Sequence, residues 1–408
     1  MSYRGLLFFL FLLFLCSLFP ASSYADPLDT WYLRPPPQGD NLSAITYGNG
    51  TFVAVGDSGT IITSIDGSRW TSSSSGISHN LYAVTYGKNQ FVIVGDSGLT
   101  FTSSNGITWT SESAGTINRP YSLTYGNNLF VAVGDAGSIL TSPDDITWTN
   151  RYSGTASTLY SVAYGNNLFV VVGDSGTILT SPDGIIWTSR SSGINDALLG
   201  IAYGKDVFVA TNGYTMLTSS DGITWVRTFP GQFGGEGLFS LGVTYGNNSF
   251  VAVTAGSAWM LPFYQIVTSS DGIVWTSRTD GVGSLYGVTY GNGTVVTVGS
   301  NGTIMQSSSF CAATLDPDLS IHVPYLSFAA NYFWADFSYV PDTLNFNLVN
   351  YGSVTDATVF DGCTPATLSY TLLLHIPNLM FGESSYWLDL QFINQGTTFS
   401  YSNMGINN

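Results

Sequence analysis

The sequence is poor in positive charge, in cysteine, in histidine and in glutamate, and each shortage removes a class of function. Ten Lys and Arg stand against 26 Asp and Glu in 408 residues, a formal net charge of −16. A surface of that sign repels phosphate backbones, which argues against nucleic acid and anionic membranes as partners. Charged residues make up 9% of the chain, so hydroxyls and amides must solvate most of the surface. The three glutamates, Glu112, Glu236 and Glu383, leave little material for paired-carboxylate glycoside hydrolysis. The three histidines, His79, His322 and His375, leave few bases for a Ser-His-Asp triad. Long apolar runs are equally scarce. The one at residues 6–15 follows Arg4 and precedes Ser23-Tyr24-Ala25, is too short to span a bilayer, and reads as a cleavable secretory signal over residues 1–25. The expected location is therefore secreted, periplasmic or cell-surface, with no membrane span. Setting the leader aside removes Cys16 and leaves Cys311 and Cys363, for which one disulfide is the expected state in an oxidising compartment.

What the sequence does have is a repeat. A Tyr-Gly pair recurs at Tyr47, Tyr86, Tyr125, Tyr164, Tyr203, Tyr245 and Tyr290, with the first four intervals at 39 residues. Tryptophan recurs beside it at Trp31, Trp70, Trp109, Trp148, Trp187, Trp225 and Trp275. One unit reads as four short β runs, at residues 81–86, 91–95, 99–103 and 107–111, separated by Gly-Lys-Asn, Asp-Ser-Gly and a Ser-x-Asp-Gly-type turn. Four antiparallel strands per unit make one propeller blade, and seven units make a seven-bladed, all-β propeller over residues 26–310. Trp31 precedes the first Tyr-Gly pair and no Trp strand follows Ile304. The last blade thus lacks its own fourth strand, and residues 31–34 are expected to supply it, which leaves no open sheet edge.

The turns Ser64-Ile65-Asp66-Gly67-Ser68-Arg69-Trp70 and Ser181-Pro182-Asp183-Gly184-Ile185-Ile186-Trp187 resemble the Asp-box repeats of sialidase-like propellers, one residue shorter than the usual spacing. The surrounding Phe-Val-Ala-Val-Gly and Gly-Thr-Ile-Leu-Thr-Ser are similar to propellers of the photosystem II assembly-factor type. The resemblance implies structural turns at Asp66, Asp144, Asp183, Asp221 and Asp271, in which the carboxylate accepts backbone N–H bonds. Asn105 replaces the aspartate in the second blade, which a turn tolerates and a catalytic carboxylate does not. No cofactor or metal is expected, calcium being the one ion that single boxes could hold. An assembly-factor role follows from resemblance alone, and the scarcity of basic residues argues against it.

Other apparent motifs dissolve into the repeat. Gly56-Asp57-Ser58-Gly59 imitates a protease nucleophile motif but recurs at Gly95 and Gly173. Arg34, Arg151, Arg190 and Arg278 each follow a blade Trp by three residues, so they belong on the rim and do not converge as a sialidase requires. Departures from the period are more informative. Residues 229–236 lengthen the connection before blade 6, and residues 255–265 lengthen the second turn within it. Both fall on one face and carry Phe229, Phe233, Glu236, Trp259, Phe263 and Tyr264, the candidate ligand-binding residues. The blander reading has these aromatics capping the channel. Asp57, Asp96, Asp135 and Asp174 share that face.

Beyond residue 310 a different period begins: His322 to His375, Trp334 to Trp387 and Asp336 to Asp389 are each 53 residues apart. Residues 311–408 read as two β-rich halves of a small sandwich or barrel, bridged by Cys311 and Cys363. The sequence supports an exported, non-enzymatic module that binds an extracytoplasmic protein or glycan. The competing reading is a sialidase-like glycoside hydrolase or lyase, with Glu236 and a second-turn aspartate as its acids. Oligomeric state stays open.

Overall fold

The computed structural model describes residues 28, 30–74, 76–113, 119–212, 215–228, 238–256, 265–280 and 283–307, together with eight strands between residues 313 and 406. The expected leader, Cys311 and Cys363 lie outside the described residues. The chain divides into two compact units, one spanning Leu28–Ser308 and one that includes Ser309–Asn408.

The first unit is a ring of seven four-stranded antiparallel sheets. Blade 1 consists of Leu42–Gly48, Thr51–Gly56, Thr60–Ser64 and Thr71–Ser74, and blades 2 to 6 repeat that order. The second strand of each blade reads as an unbroken apolar run because both of its faces are covered. In blade 1, Phe52 and Ala54 pack with Val296, Val298 and Ile304 of blade 7, while Val53 and Val55 pack with Leu81, Phe91 and Phe101 of blade 2. The period-2 alternation of a strand thus sends successive side chains into two different inter-blade cores. Phe52, Phe91, Phe130, Phe169, Phe208 and Phe250 are all fully buried there, each contributing about 1.5–3 kcal/mol by its removal from water.

The Tyr-Gly pairs set the spacing of the blades. A Cβ on Gly48 would strike the ring of Tyr86, and the same holds for Gly87 against Tyr125 and onward round the ring to Gly291 against Tyr47. Each glycine is the notch for the next blade's tyrosine, so the first and seventh blades meet by the contact that joins all the others.

Blade 7 holds Leu285–Gly291, Thr294–Gly299 and Ile304–Ser307, and its fourth strand is Trp31–Arg34. Trp31 lies opposite Ser307 and Arg34 opposite Ile304. The Trp31 indole N–H donates to the Leu28 carbonyl at 2.7 Å, reproducing the bond that every box tryptophan makes to the residue three before it. Arg34, buried, donates from Nε to Gln306 Oε1 at 2.9 Å, and Gln306 Nε2 donates to the Asp66 carbonyl at 2.7 Å. One side chain therefore ties the N-terminal strand, blade 7 and the box of blade 1.

The fourth strand of blade 2 departs from its sequence boundaries. It runs Thr110–Ser113 rather than from residue 107, because the Ile107 and Thr108 N–H groups are held in the turn by Asn105 Oδ1 at 2.9 and 3.0 Å.

In the second unit, Ala313–Leu315, Ser320–Phe328, Asn331–Val340 and Asn345–Ser353 are each repeated 53 residues later, as Ala366–Leu368, Leu373–Phe381, Ser384–Phe392 and Thr398–Ile406. The register repeats too: His322 stands opposite Asp336 and His375 opposite Asp389. Pro324 and Pro377 fall inside equivalent bulges, where a strand tolerates a residue that cannot donate. These strands pair in one eight-stranded sheet, with additional parallel pairings of Ala313–Leu315 and Ala366–Leu368.

Candidate functional site

The box turns are fully occupied with holding themselves. In blade 1, Asp66 Oδ1 accepts from Ser64 Oγ, Ser68 N and Arg69 N at 3.0, 2.8 and 3.1 Å, while Ser64 Oγ accepts from Gly67 N at 2.8 Å. Asp144, Asp183, Asp221 and Asp271 make the same bonds. Two backbone N–H groups favour the charged form, and the N–H groups of Thr224 and Ile223 bring Asp221 down to about 2. The rim arginines are equally engaged. Arg151, Arg190 and Arg278 donate from Nε to Thr141, Thr180 and Thr268 of their own blades at 2.7–2.9 Å, as Arg34 does to Gln306.

Phe229, Phe233, Glu236, Trp259, Phe263 and Tyr264 lie outside the described residues. The strands that carry those segments are described, and they are longer than in other blades, Leu238–Gly246 and Ser249–Gly256. Leu238 pairs with Gly256 at the end of blade 6.

The Asp-Ser-Gly sequences are 3-10 turns on the second-turn face, with Ser58, Ser97 and Ser175 at positive φ and Ala136 in the same place. A cleft of about 710 Å³ beside the first turn brings Ser58, Asp40 and His79 together with several serines. Asp40 accepts from Thr60 Oγ1 at 2.9 Å, and among the described residues no hydrogen bond joins Ser58 or Asp40 to His79. Among the described residues there is also no group of three or more His, Cys, Asp and Glu placed to hold a metal ion. No described helix is long and apolar enough to cross a membrane.

The strongest constellation was not among the sequence candidates. The first strands of blades 2, 3 and 4 begin Leu81-Tyr82, Pro120-Tyr121 and Leu159-Tyr160, with the tyrosine itself skipped at a bulge in each. The bulge leaves each ring half-buried at the second-turn end of the strand, where Asp96, Asp135 and Asp174 open their turns. Tyr82 donates from its hydroxyl to Asp96 Oδ1 at 2.8 Å. The Arg119 guanidinium lies 4.9 Å from the Tyr82 ring centre and 5.3 Å from that of Tyr121, and Tyr121 meets Tyr160 edge-on at 5.4 Å. Burial, and then the Asp174 and Asp135 carboxylates, raise the Tyr160 hydroxyl above the ordinary tyrosine value. These tyrosines sit four residues before the Tyr-Gly pairs, a second periodic series confined to blades 2, 3, 4 and 7. The arrangement offers aromatic faces, carboxylates and one guanidinium at a single mouth, which is equipment for holding a ligand.

No protein-family model matches the sequence, and no curated protein matches it. Solved structures do. YCF48 bound to D1 peptide is 16% identical with a TM-score of 0.56, covering 71% of this chain and 97% of that one. YCF48 from Cyanidioschyzon merolae is 16% identical with a TM-score of 0.54, covering 68% and 98%. The chain is a β-propeller. Virginiamycin B lyase from Staphylococcus aureus, 11% identical with a TM-score of 0.57, covers 68% of this propeller chain and 99% of its own. At these identities the likeness is one of fold, shared by a peptide-bound protein and an enzyme alike.

Proposed function

We propose that this propeller is an exported, non-enzymatic binding and scaffold module that takes a protein partner through its second-turn face. The observation that carries this reading is the mouth formed by Tyr82, Tyr121 and Tyr160, with Arg119 stacked on two of the rings and aspartates opening the adjoining turns. Aromatic and arginine side chains are the residue types enriched where proteins bind one another. The peptide bound to YCF48 is a precedent on this fold. The hydrolase or lyase reading is weaker, because the arginines it would need are each bonded within their own blades.

The test is affinity capture from native extract with residues 26–408, comparing wild type, the double variant Tyr82→Ser/Tyr121→Ser, and Ile185→Ser on the opposite rim. Serine already occupies the equivalent position 43, so the fold should tolerate it. A partner kept by wild type and Ile185→Ser and lost by the double variant is the expected result. A partner kept by the double variant would refute the mouth. A saturable thermal shift with an oligosaccharide in a parallel screen would turn the reading toward glycans.

A further inference from the structure

The repeat provides its own template for what the mouth holds. Between blades 2 and 3, Arg119 from the following connection lies over the ring of Tyr82 of the earlier blade, whose hydroxyl is bonded to Asp96. Arg119 uses its backbone carbonyl to accept from Asp135 N, which fixes where its side chain starts. Two repeats on, 78 residues later, the same positions carry Tyr160, Asp174 and Ala197. The ring and the carboxylate are kept, and the guanidinium is gone.

The carboxylates differ in a way that follows from this. Asp96 accepts from the Tyr82 hydroxyl and from Asn80 N. Asp57 accepts from Asn41 Nδ2, and Asp135 from Thr158 Oγ1, which stands one repeat after Arg119 and reaches back to the preceding turn. Among the described residues, Asp174 accepts only the N–H of Ser175, its own neighbour. It is the exposed member of the four, the other three being half-buried. The Ala197 methyl has no polar atom with which to reach it.

We infer that Tyr160, Asp174 and the gap at Ala197 form a seat for an arginine side chain presented by the protein partner, in the place Arg119 occupies two repeats earlier. A guanidinium there would stack on the Tyr160 face beside the exposed Asp174 carboxylate, two interactions that reinforce each other. The net charge of −16 draws a basic segment toward the protein from a distance. The inference rests on the second-turn face being the binding face and names the chemistry that one part of it selects.

The probe is Nα-acetyl-arginine amide, with the neutral citrulline analogue as control, titrated into residues 26–408 while the tyrosine ring signals are followed by NMR. The expected result is a saturable shift of the signal that Tyr160→Leu removes, absent with citrulline and about tenfold weaker in affinity in Asp174→Asn. Ala197→Arg supplies the missing side chain from within and should abolish the shift, whereas Arg119→Ala should open a second seat and add a shift at Tyr82. Tyr160→Leu, Ala197→Arg and Arg119→Ala install a small residue or one the repeat already carries at that position, Asp174→Asn is isosteric, and melting temperatures check that the variants fold. Should Ala197→Arg not fold, Asp174→Asn and the citrulline control decide. Equal shifts with citrulline, or an undiminished shift in folded Ala197→Arg or in Asp174→Asn, would overturn the seat. Capture of a partner through the mouth would then still stand, so the two readings fail separately.

Discussion

At the scale of single residues, the box turns ask first for an oxygen, and the charge on it adds to the hold. Asn105 Oδ1 accepts from Ile107 N and Thr108 N at 2.9 and 3.0 Å, which matches what Asp66 does for Ser68 and Arg69 at 2.8 and 3.1 Å. Asp66→Asn keeps the acceptor and loses the charge, so it should cost about 0.5–1 kcal/mol at neutral pH. Asp66→Ala should cost about 1–2 kcal/mol, because it strips two backbone N–H groups and a serine hydroxyl of their acceptor. Denaturant unfolding of the two variants measures both. These residues were legible in the sequence because their spacing recurs in six blades. Tyr82, Tyr121 and Tyr160 were not, because their series breaks at Ser43, Leu199 and Leu241 and nothing in the alternation marks a strand bulge. Arg119 was hidden for a different reason: its partners are one blade apart, and only the packing of blade 2 against blade 3 brings Tyr82 and Tyr121 to it together.

At the scale of elements, the four residues Trp31–Arg34 complete a blade whose other strands lie at the far end of the propeller sequence. Deleting residues 26–37 would expose the Ile304–Ser307 edge and remove the buried Arg34. The expected outcome is a lower temperature for the single cooperative unfolding of the whole ring, read by calorimetry. Fraying confined to blade 7 would contradict it. Gln306→Ala should have a smaller effect, about 1–3 kcal/mol, by leaving Arg34 Nε and the Asp66 carbonyl without their partner. The need for this strand could be counted from the order of Trp and Tyr-Gly, whereas the polar tie through Gln306 could not, since it joins three segments distant in sequence. The second unit shows the same division. Its period of 53 was readable, but which strands pair across the two halves was not, because alternation leaves the choice of partner strand degenerate.

At the scale of the whole molecule, five box aspartates titrate below the ordinary carboxylate range, Asp221 at about 2 and Asp66, Asp144, Asp183 and Asp271 in the same direction. A depressed folded-state value means the native state binds fewer protons than the unfolded one. Stability from these turns is therefore present above the unfolded value of 3.8 and is lost as pH falls toward about 2. Because the boxes recur around the ring, the melting temperature should fall as one transition over that window. A melting temperature that stays level down to about pH 2 would show that water replaces the carboxylates without loss.

Arg34 and Gln306 touch, yet 272 residues separate them along the chain. A ribosome making this protein releases the closing strand first and its partner after the rest of the ring. For that whole interval the N-terminal strand has nothing to pair with, and the last blade emerges with a bare edge. Closure is thus the final and most entropically demanding event of assembly. While it is pending, the strand of a neighbouring molecule fits that edge as well as the chain's own, so crowded refolding should yield swapped dimers that dilute refolding avoids.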